Sequence, residues 1–156
     1  MKAVNYQTLF SATLVAGTLD IISAFAFSSL KGVTPGQVLR YVASGPFGDG
    51  MREGGLGAAL AGLAVHYSLM LIMVSVFAAA TARLPSIRRH WYVWGAAYGV
   101  AIYLVMYWFV VPTRFGTTPK TDLWSVGNAL FSHILCVGIP MAFVIAGRQR
   151  SKASLA

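Results

Sequence analysis

The chain has 156 residues, enough for one domain, with 57% apolar residues, only 10% charged residues and a net charge of +8. The charges gather in the gaps between four apolar stretches, which excludes a soluble helical bundle, where charged and apolar positions alternate within each helix. The positive balance does not point to nucleic acid, because the basic residues sit at the ends of those stretches and no nucleic-acid motif accompanies them.

The first stretch, 7–30, is long enough to cross a ~30 Å hydrocarbon core. It is the most polar of the four, interrupted by Ser11, Thr13, Thr18, Asp20 and Ser23, so it is expected to pack against the others rather than face lipid all round. Ala24-Phe25-Ala26 imitates a signal-peptidase site. Asp20 would lie late in the apolar region of such a leader, so the segment is expected to stay as a span. A long connection follows. Thr34-Pro35 is a helix-start signal, and Val38, Leu39, Tyr41 and Val42 form an apolar stripe opposite Arg40. That pattern predicts a short interfacial helix over 35–44 in the first extracytoplasmic loop. Gly45-Pro46-Phe47-Gly48-Asp49-Gly50 is expected to be a turn, with neither a phosphate-loop lysine nor a calcium-loop acidic ladder.

The second span is predicted over 56–82 and ends at Arg83-Leu84-Pro85, before a basic turn with Arg88, Arg89 and His90. His90 is expected to be interfacial. The third span, 91–111, opens on the aromatic anchors Trp91, Tyr92 and Trp94 and is expected to stop at Pro112. The fourth runs over 124–147, and Pro140 within it lacks the N–H that would bond the Cys136 carbonyl, which predicts a kink. Gly95 and Gly99 form a GxxxG pair, and Ala58 and Gly62 a small-xxx-small pair. Both are expected to serve close helix packing inside the chain rather than a dimer. Cys136 is the single cysteine and lies in an apolar stretch, so no intrachain disulfide forms.

The fold class is thus an all-α membrane protein, a four-helix up-down-up-down bundle. Orientation follows from Lys and Arg. Lys2, Arg83, Arg88, Arg89, Arg148, Arg150 and Lys152 fall on one side, and Lys31, Arg40, Arg52, Arg114 and Lys120 on the other. The first group sits close to the helix ends, which puts both termini in the cytoplasm. The lipid bilayer is the expected partner, with a homo-oligomer or a larger membrane complex possible and nucleic acid not.

Three ionisable side chains lie inside spans: Asp20, His66 and His133. At a 1.5 Å rise, each is about 15 Å below the outer surface, near the midplane, and Tyr103 falls at the same depth. Asp20 shares a helix face with Thr13, Gly17 and Ser23, and Tyr103 with Gly95, Gly99 and Tyr107. A charge at the bilayer centre costs at least ~2.5 kcal/mol, so Asp20 is expected to point inward. Several readings stay open. The cluster can be a network that only fixes helix packing, in a structural or accessory subunit. It can be a metal or proton site for transport or relay, since two histidines and a carboxylate suit zinc or iron. Met70, Met73 and Cys136 add sulfur that suits copper(I). His66 and His133 can also be the two axial ligands of a haem in an electron-transfer protein. Hydrolytic or transferase chemistry has no motif behind it, and Ser132 beside His133 is no basis for a triad.

From His66 onward the order of features is distinctive. A span carrying His66 ends in Leu84-Pro85, and a basic turn and Trp94-Gly95 lead to a third span ending near Pro112. Gly116, Thr118-Pro119, Asp122 and Trp124 then precede a span with His133. This order resembles the YagU-like family of bacterial inner-membrane proteins over roughly the C-terminal 60% of the chain, a distributed likeness and not a tight motif. The resemblance carries over His66 and His133 as family features and implies a bacterial inner-membrane location. It implies no mechanism, and the loop from Arg40 to Gly55 does not share it.

Overall fold

In hydrocarbon a helix satisfies every backbone N–H and C=O within one segment, and each long apolar stretch of this chain winds into one. The computed structural model describes residues 5–153, with side chains through 147. Lys2 and the side chains of Arg148, Arg150 and Lys152 therefore lie outside the described residues. The element order is α1 (Tyr6–Ser29), α2 (Pro35–Phe47), a 3-10 turn (Asp49–Glu53), α3 (Leu56–Arg83), the short α4 (Pro85–Arg89), α5 (Trp91–Phe115) and α6 (Leu123–Gly147, continuing to Ala153). No strand occurs among the described residues. The long helices have 24, 28, 25 and 25 residues, about 36–42 Å at 1.5 Å per residue, and are long and apolar enough to cross a membrane.

Side-chain caps fix three of the helix starts. Asn5 Oδ1 accepts from the Thr8 amide at 2.9 Å, and Asp122 Oδ1 accepts from the Ser125 amide at 2.9 Å. That amide bond holds the Asp122 carboxyl below its ordinary range. Because the pKa is depressed, the contribution of this cap is present above the unfolded carboxyl pKa and fades as pH falls through the lowered value. Thr34 and Gln37 form a reciprocal capping box ahead of Pro35, with the Thr34 amide on Gln37 Oε1 at 2.8 Å.

Two helices run further than the sequence predicts. α2 does not end before Gly45 but continues through Pro46 to Phe47. The Arg114 guanidinium supplies donors to its last turn, on the Ser44 carbonyl at 2.6 Å and on the Gly45 carbonyl, and its charge suits a helix C-terminus. α5 does not stop at Val111 but carries Pro112 within it and ends at Gly116, whose φ of +62° suits the left-handed cap residue.

Both prolines inside the long helices follow a widened turn. Val105–Val110 and Ser132–Gly138 are π-helical, and each segment ends two residues before a proline, Pro112 and Pro140. A proline ring collides with the carbonyl four residues back and offers it no N–H. Winding out one residue per turn relieves that collision, and such widened turns are often found at functional sites.

Close approaches set the helix positions. A Cβ on Gly62 would overlap the Leu39 carbonyl, so α2 lies tightly on α3, about 9 Å along it from Leu56. Ala43 and Ser44 are wholly buried there. Gly95 and Gly99 meet α6 backbone to backbone: a Cβ on Gly95 would lie 2.7 Å from the Gly138 carbonyl, and one on Gly99 would overlap the His133 carbonyl. The GxxxG pair thus serves packing within the chain, and its partner is Gly138. The apolar core is built from Ala12, Met70, Val74, Phe77, Ile102, Val137, Met141 and Ile145, with Ile87 of α4 beneath it.

Replacing Gly99 by valine will force α5 off α6 and cost at least about 1–3 kcal/mol, the range for overpacking. Gly127→Ala, at a position with open space around it, will leave stability unchanged or slightly raised. Thermal unfolding in detergent distinguishes them; equal melting temperatures would rule out the close crossing.

Candidate functional site

Asp20 lies on the inward face of α1, between Gly17 and Ser23, both buried. With no side chain at Gly17, α3 comes close enough for His66 to reach the backbone of α1. His66 Nε2 is 2.9 Å from the Gly17 carbonyl, and its Nδ1 is 4.0 Å from Asp20 Oδ2. His66 is nearly buried, while the Asp20 side chain keeps 20% exposure, so its carboxyl opens onto space. Beside it, Ser23 Oγ donates to the Asp20 carbonyl at 2.8 Å and pairs with Ser132 Oγ at 2.7 Å, tying α1 to α6.

His133 comes in from the π turn of α6. Its Nδ1 lies 2.7 Å from the Ala129 carbonyl one turn earlier. Its ring packs edge-on against Tyr103 and Tyr107, with centroids 6.3 and 5.8 Å away, and the two tyrosine rings are 5.2 Å apart. Tyr103 is buried and Tyr107 half-buried. The two histidines are the charge-bearing neighbours of Asp20, so groups from all the long helices converge on one layer. Met70 is core packing beside Gly17. Cys136 is half-buried on α6.

The two carbonyls decide the proton positions on the rings. A carbonyl only accepts, so the imidazole nitrogen against it carries a hydrogen. His66 therefore holds its proton on Nε2 and presents Nδ1 to Asp20. His133 holds its proton on Nδ1, which leaves Nε2 as its accepting nitrogen. When neutral, His66 offers its Nδ1 lone pair beside the Asp20 carboxyl. One proton shared between Asp20 and His66 leaves the pair without net charge, which is the inexpensive state for side chains this little exposed.

This donor set fits a haem poorly, because His66 Nε2 faces Gly17 rather than an open core. Among the described residues, no group of three or more His, Cys, Asp or Glu side chains is arranged to hold a metal ion.

A second cluster lies on the α2 face of the molecule, and little in the sequence announced it. Tyr41 stacks on Phe115 at 4.6 Å, and the Arg52 guanidinium lies 5.2 Å from both rings. Arg52 and Arg114 flank Asp49 at 3.3 and 3.7 Å, and Arg40 donates to the Arg52 carbonyl at 3.0 Å. Burial pushes the Tyr41 phenol above its ordinary range, against the opposite pull of Arg52 and Arg114. Sequence reasoning also missed the link between Tyr67 and Thr18, whose hydroxyls are 2.8 Å apart beside the pair. It placed Tyr107 on the face of Tyr103 without giving it a role; the signal was Pro112, whose widened turn carries that ring.

No family model, curated protein or solved structure matches this chain.

The ring assignment has a direct check in nitrogen NMR of protein labelled at histidine. In the neutral state His66 is expected as the Nε2–H tautomer and His133 as the Nδ1–H tautomer. A single shared tautomer would mean that the carbonyl contacts do not hold the rings.

Proposed function

We propose that this chain is a small multi-pass protein of the bacterial inner membrane in which Asp20 and His66, with His133 beside them, bind and release a proton within the bilayer, as part of proton transport or relay. The observation that carries this is the tautomer pattern. Each imidazole is tied through one nitrogen to a backbone carbonyl, Gly17 or Ala129, and for His66 this leaves the proton-accepting Nδ1 beside the Asp20 carboxyl. Ionisable groups at this depth mark ion and proton pathways by default. A gap of 4.0 Å is closed by a small side-chain rotation or one bridging water. A metal ion is the lesser reading, since no three-ligand grouping supports it.

An up-down-up-down bundle with both termini cytoplasmic fits this assignment. Trp91 packs on Phe143 while Tyr103 packs on His133, as antiparallel α5 and α6 require. α2, roofing the bundle at the outer membrane surface, takes the part of the interfacial helix. The likeness to the YagU-like family supports the bacterial location.

The second reading, a purely structural network, is favoured by the contacts that join helices: His66 to Gly17 and Ser23 to Ser132. Such bonds are worth about 0.6 kcal/mol each on average, so they would act through stability alone.

Infrared titration of the protein in lipid nanodiscs separates the two. A proton site predicts a carboxylic C=O band, absent in Asp20→Asn, whose intensity changes with pH across the range tested. His66→Ala will shift that titration. A band that stays constant across the range, with variants differing only in melting temperature, would leave the structural network. Near-stoichiometric zinc, iron or copper in the purified protein, lost in the His66→Ala/His133→Ala double variant, would overturn the proton assignment in favour of a metal.

A further inference from the structure

We infer that Arg52 and Arg114, at the corner where α2 meets the end of α5, bind the phosphate of an anionic lipid headgroup, and that Asp49 competes with it for the same guanidiniums. This goes beyond the proton-binding assignment and does not depend on it.

Both guanidiniums are held in place by groups other than Asp49. Arg114 donates to the Ser44 and Gly45 carbonyls at the end of α2, and Arg52 Nε donates to Ser44 Oγ at 3.3 Å. The Arg52 guanidinium lies 5.2 Å from the Tyr41 and Phe115 rings, and that of Arg114 lies 5.1 Å from Phe115. Asp49 is bound far less firmly. Arg52 and Arg114 converge on a single one of its oxygens, Oδ1, at 3.3 and 3.7 Å. Both distances exceed the roughly 2.7–2.9 Å of a charge-assisted hydrogen bond. The Asp49 side chain is also 69% exposed, so water competes for its carboxylate. The two cations are thus positioned in advance of the anion between them, and the anion there is a loosely held one.

Two guanidiniums share one carboxylate, so the corner keeps positive charge. Arg40 adds to it from α2, bonded through Nε to the Arg52 carbonyl at 3.0 Å. Glu53, in the same turn as Asp49, makes no ion pair among the described residues. A guanidinium carries five N–H donors, and Nη1 of Arg52 and of Arg114 makes no hydrogen bond among the described residues. A phosphate offers more oxygens than a carboxylate and matches the planar fork of arginine in pairs of bonds. The position of the corner selects a lipid as the source. Arg52 comes four residues before Leu56, which opens one apolar span, and Phe115 closes another, Trp91–Phe115. Headgroups lie at the ends of such spans, where basic residues attract anionic lipid. Phe47, two residues before Asp49, and Leu56 are 62% and 77% exposed, which places apolar surface beside the cations for the acyl chains.

The test is native mass spectrometry of the full chain in detergent, with phosphatidylglycerol and phosphatidylcholine supplied in equal amounts. The wild type is expected to retain phosphatidylglycerol in preference. Arg52→Gln is expected to lower that preference about fivefold, what one arginine at a membrane surface contributes, and by more than Arg88→Gln at the other end of α3. Asp49→Asn, at an exposed side chain, is expected to raise the preference, because it removes the competing anion. Equal retention of the two lipids by the wild type would overturn the proposal, and this arm needs no variant. An effect of Arg52→Gln no larger than that of Arg88→Gln would place the lipid elsewhere on the chain. A lower preference in Asp49→Asn would make that carboxylate part of the scaffold and overturn the competition, and this arm holds even where Arg52→Gln unseats α2. Loss of the lipid to excess inorganic phosphate, at constant ionic strength, would assign the corner to a free anion instead of a headgroup.

Discussion

The contact between α5 and α6, backbone on backbone at Gly95, Gly99 and Gly138, is the constraint from which the polar layer follows. With no side chains between the helices, Gly99 rests on the His133 carbonyl, and that fixes the depth and rotation of His133 relative to Tyr103 and Tyr107. The same economy operates at Gly17, where α3 approaches closely enough for an imidazole to bond the α1 backbone. Lipid offers no hydrophobic drive for helices to associate, so close packing and interhelical hydrogen bonds must supply it. Here those contacts also position the ionisable groups, so packing and chemistry cannot be altered separately.

The prolines extend this coupling. A proline inside a helix is usually read as a kink or an end, but in this chain each long-helix proline is absorbed by a π turn just ahead of it. The two turns lie on adjacent helices and carry Tyr107 and His133, which touch. Widening a turn redirects the side chains within it, so two imino acids outside the polar layer help determine which residues enter it.

The third feature is asymmetry. A dense apolar core fills the α4 half, and the α2 half holds tyrosines, arginines and exposed carboxylates such as Asp49. α2 is seated on α3 by the approach of Leu39 to Gly62 and pinned at its C-terminus by Arg114. Arg114 thereby bridges the end of α5 to the end of α2, and the Arg52–Tyr41–Phe115 stack strengthens that corner. Cation–π contacts at such sites contribute about 0.5–1 kcal/mol each, enough in combination to hold a short helix that would not persist alone.

The sequence by itself determined the helices, since runs of apolar residues of spanning length have one way to satisfy their backbone in hydrocarbon. It also determined the start of α2, through Thr34-Pro35, and the level of Asp20, His66 and His133 along their helices, because position along a helix is a matter of counting residues. Gly95 and Gly99 could be read as a packing surface, but not Gly138 as what they pack on. Only the tertiary structure decided what each polar group faces. The ring nitrogen that carries the proton depends on a carbonyl of a neighbouring helix for His66, and on a local π turn for His133. The extension of α2 through Pro46 depends on an arginine some 70 residues later, and the seating of α2 on a glycine in α3. These are contacts between segments distant in the chain, and a one-dimensional pattern of hydropathy and spacing does not encode which partners meet.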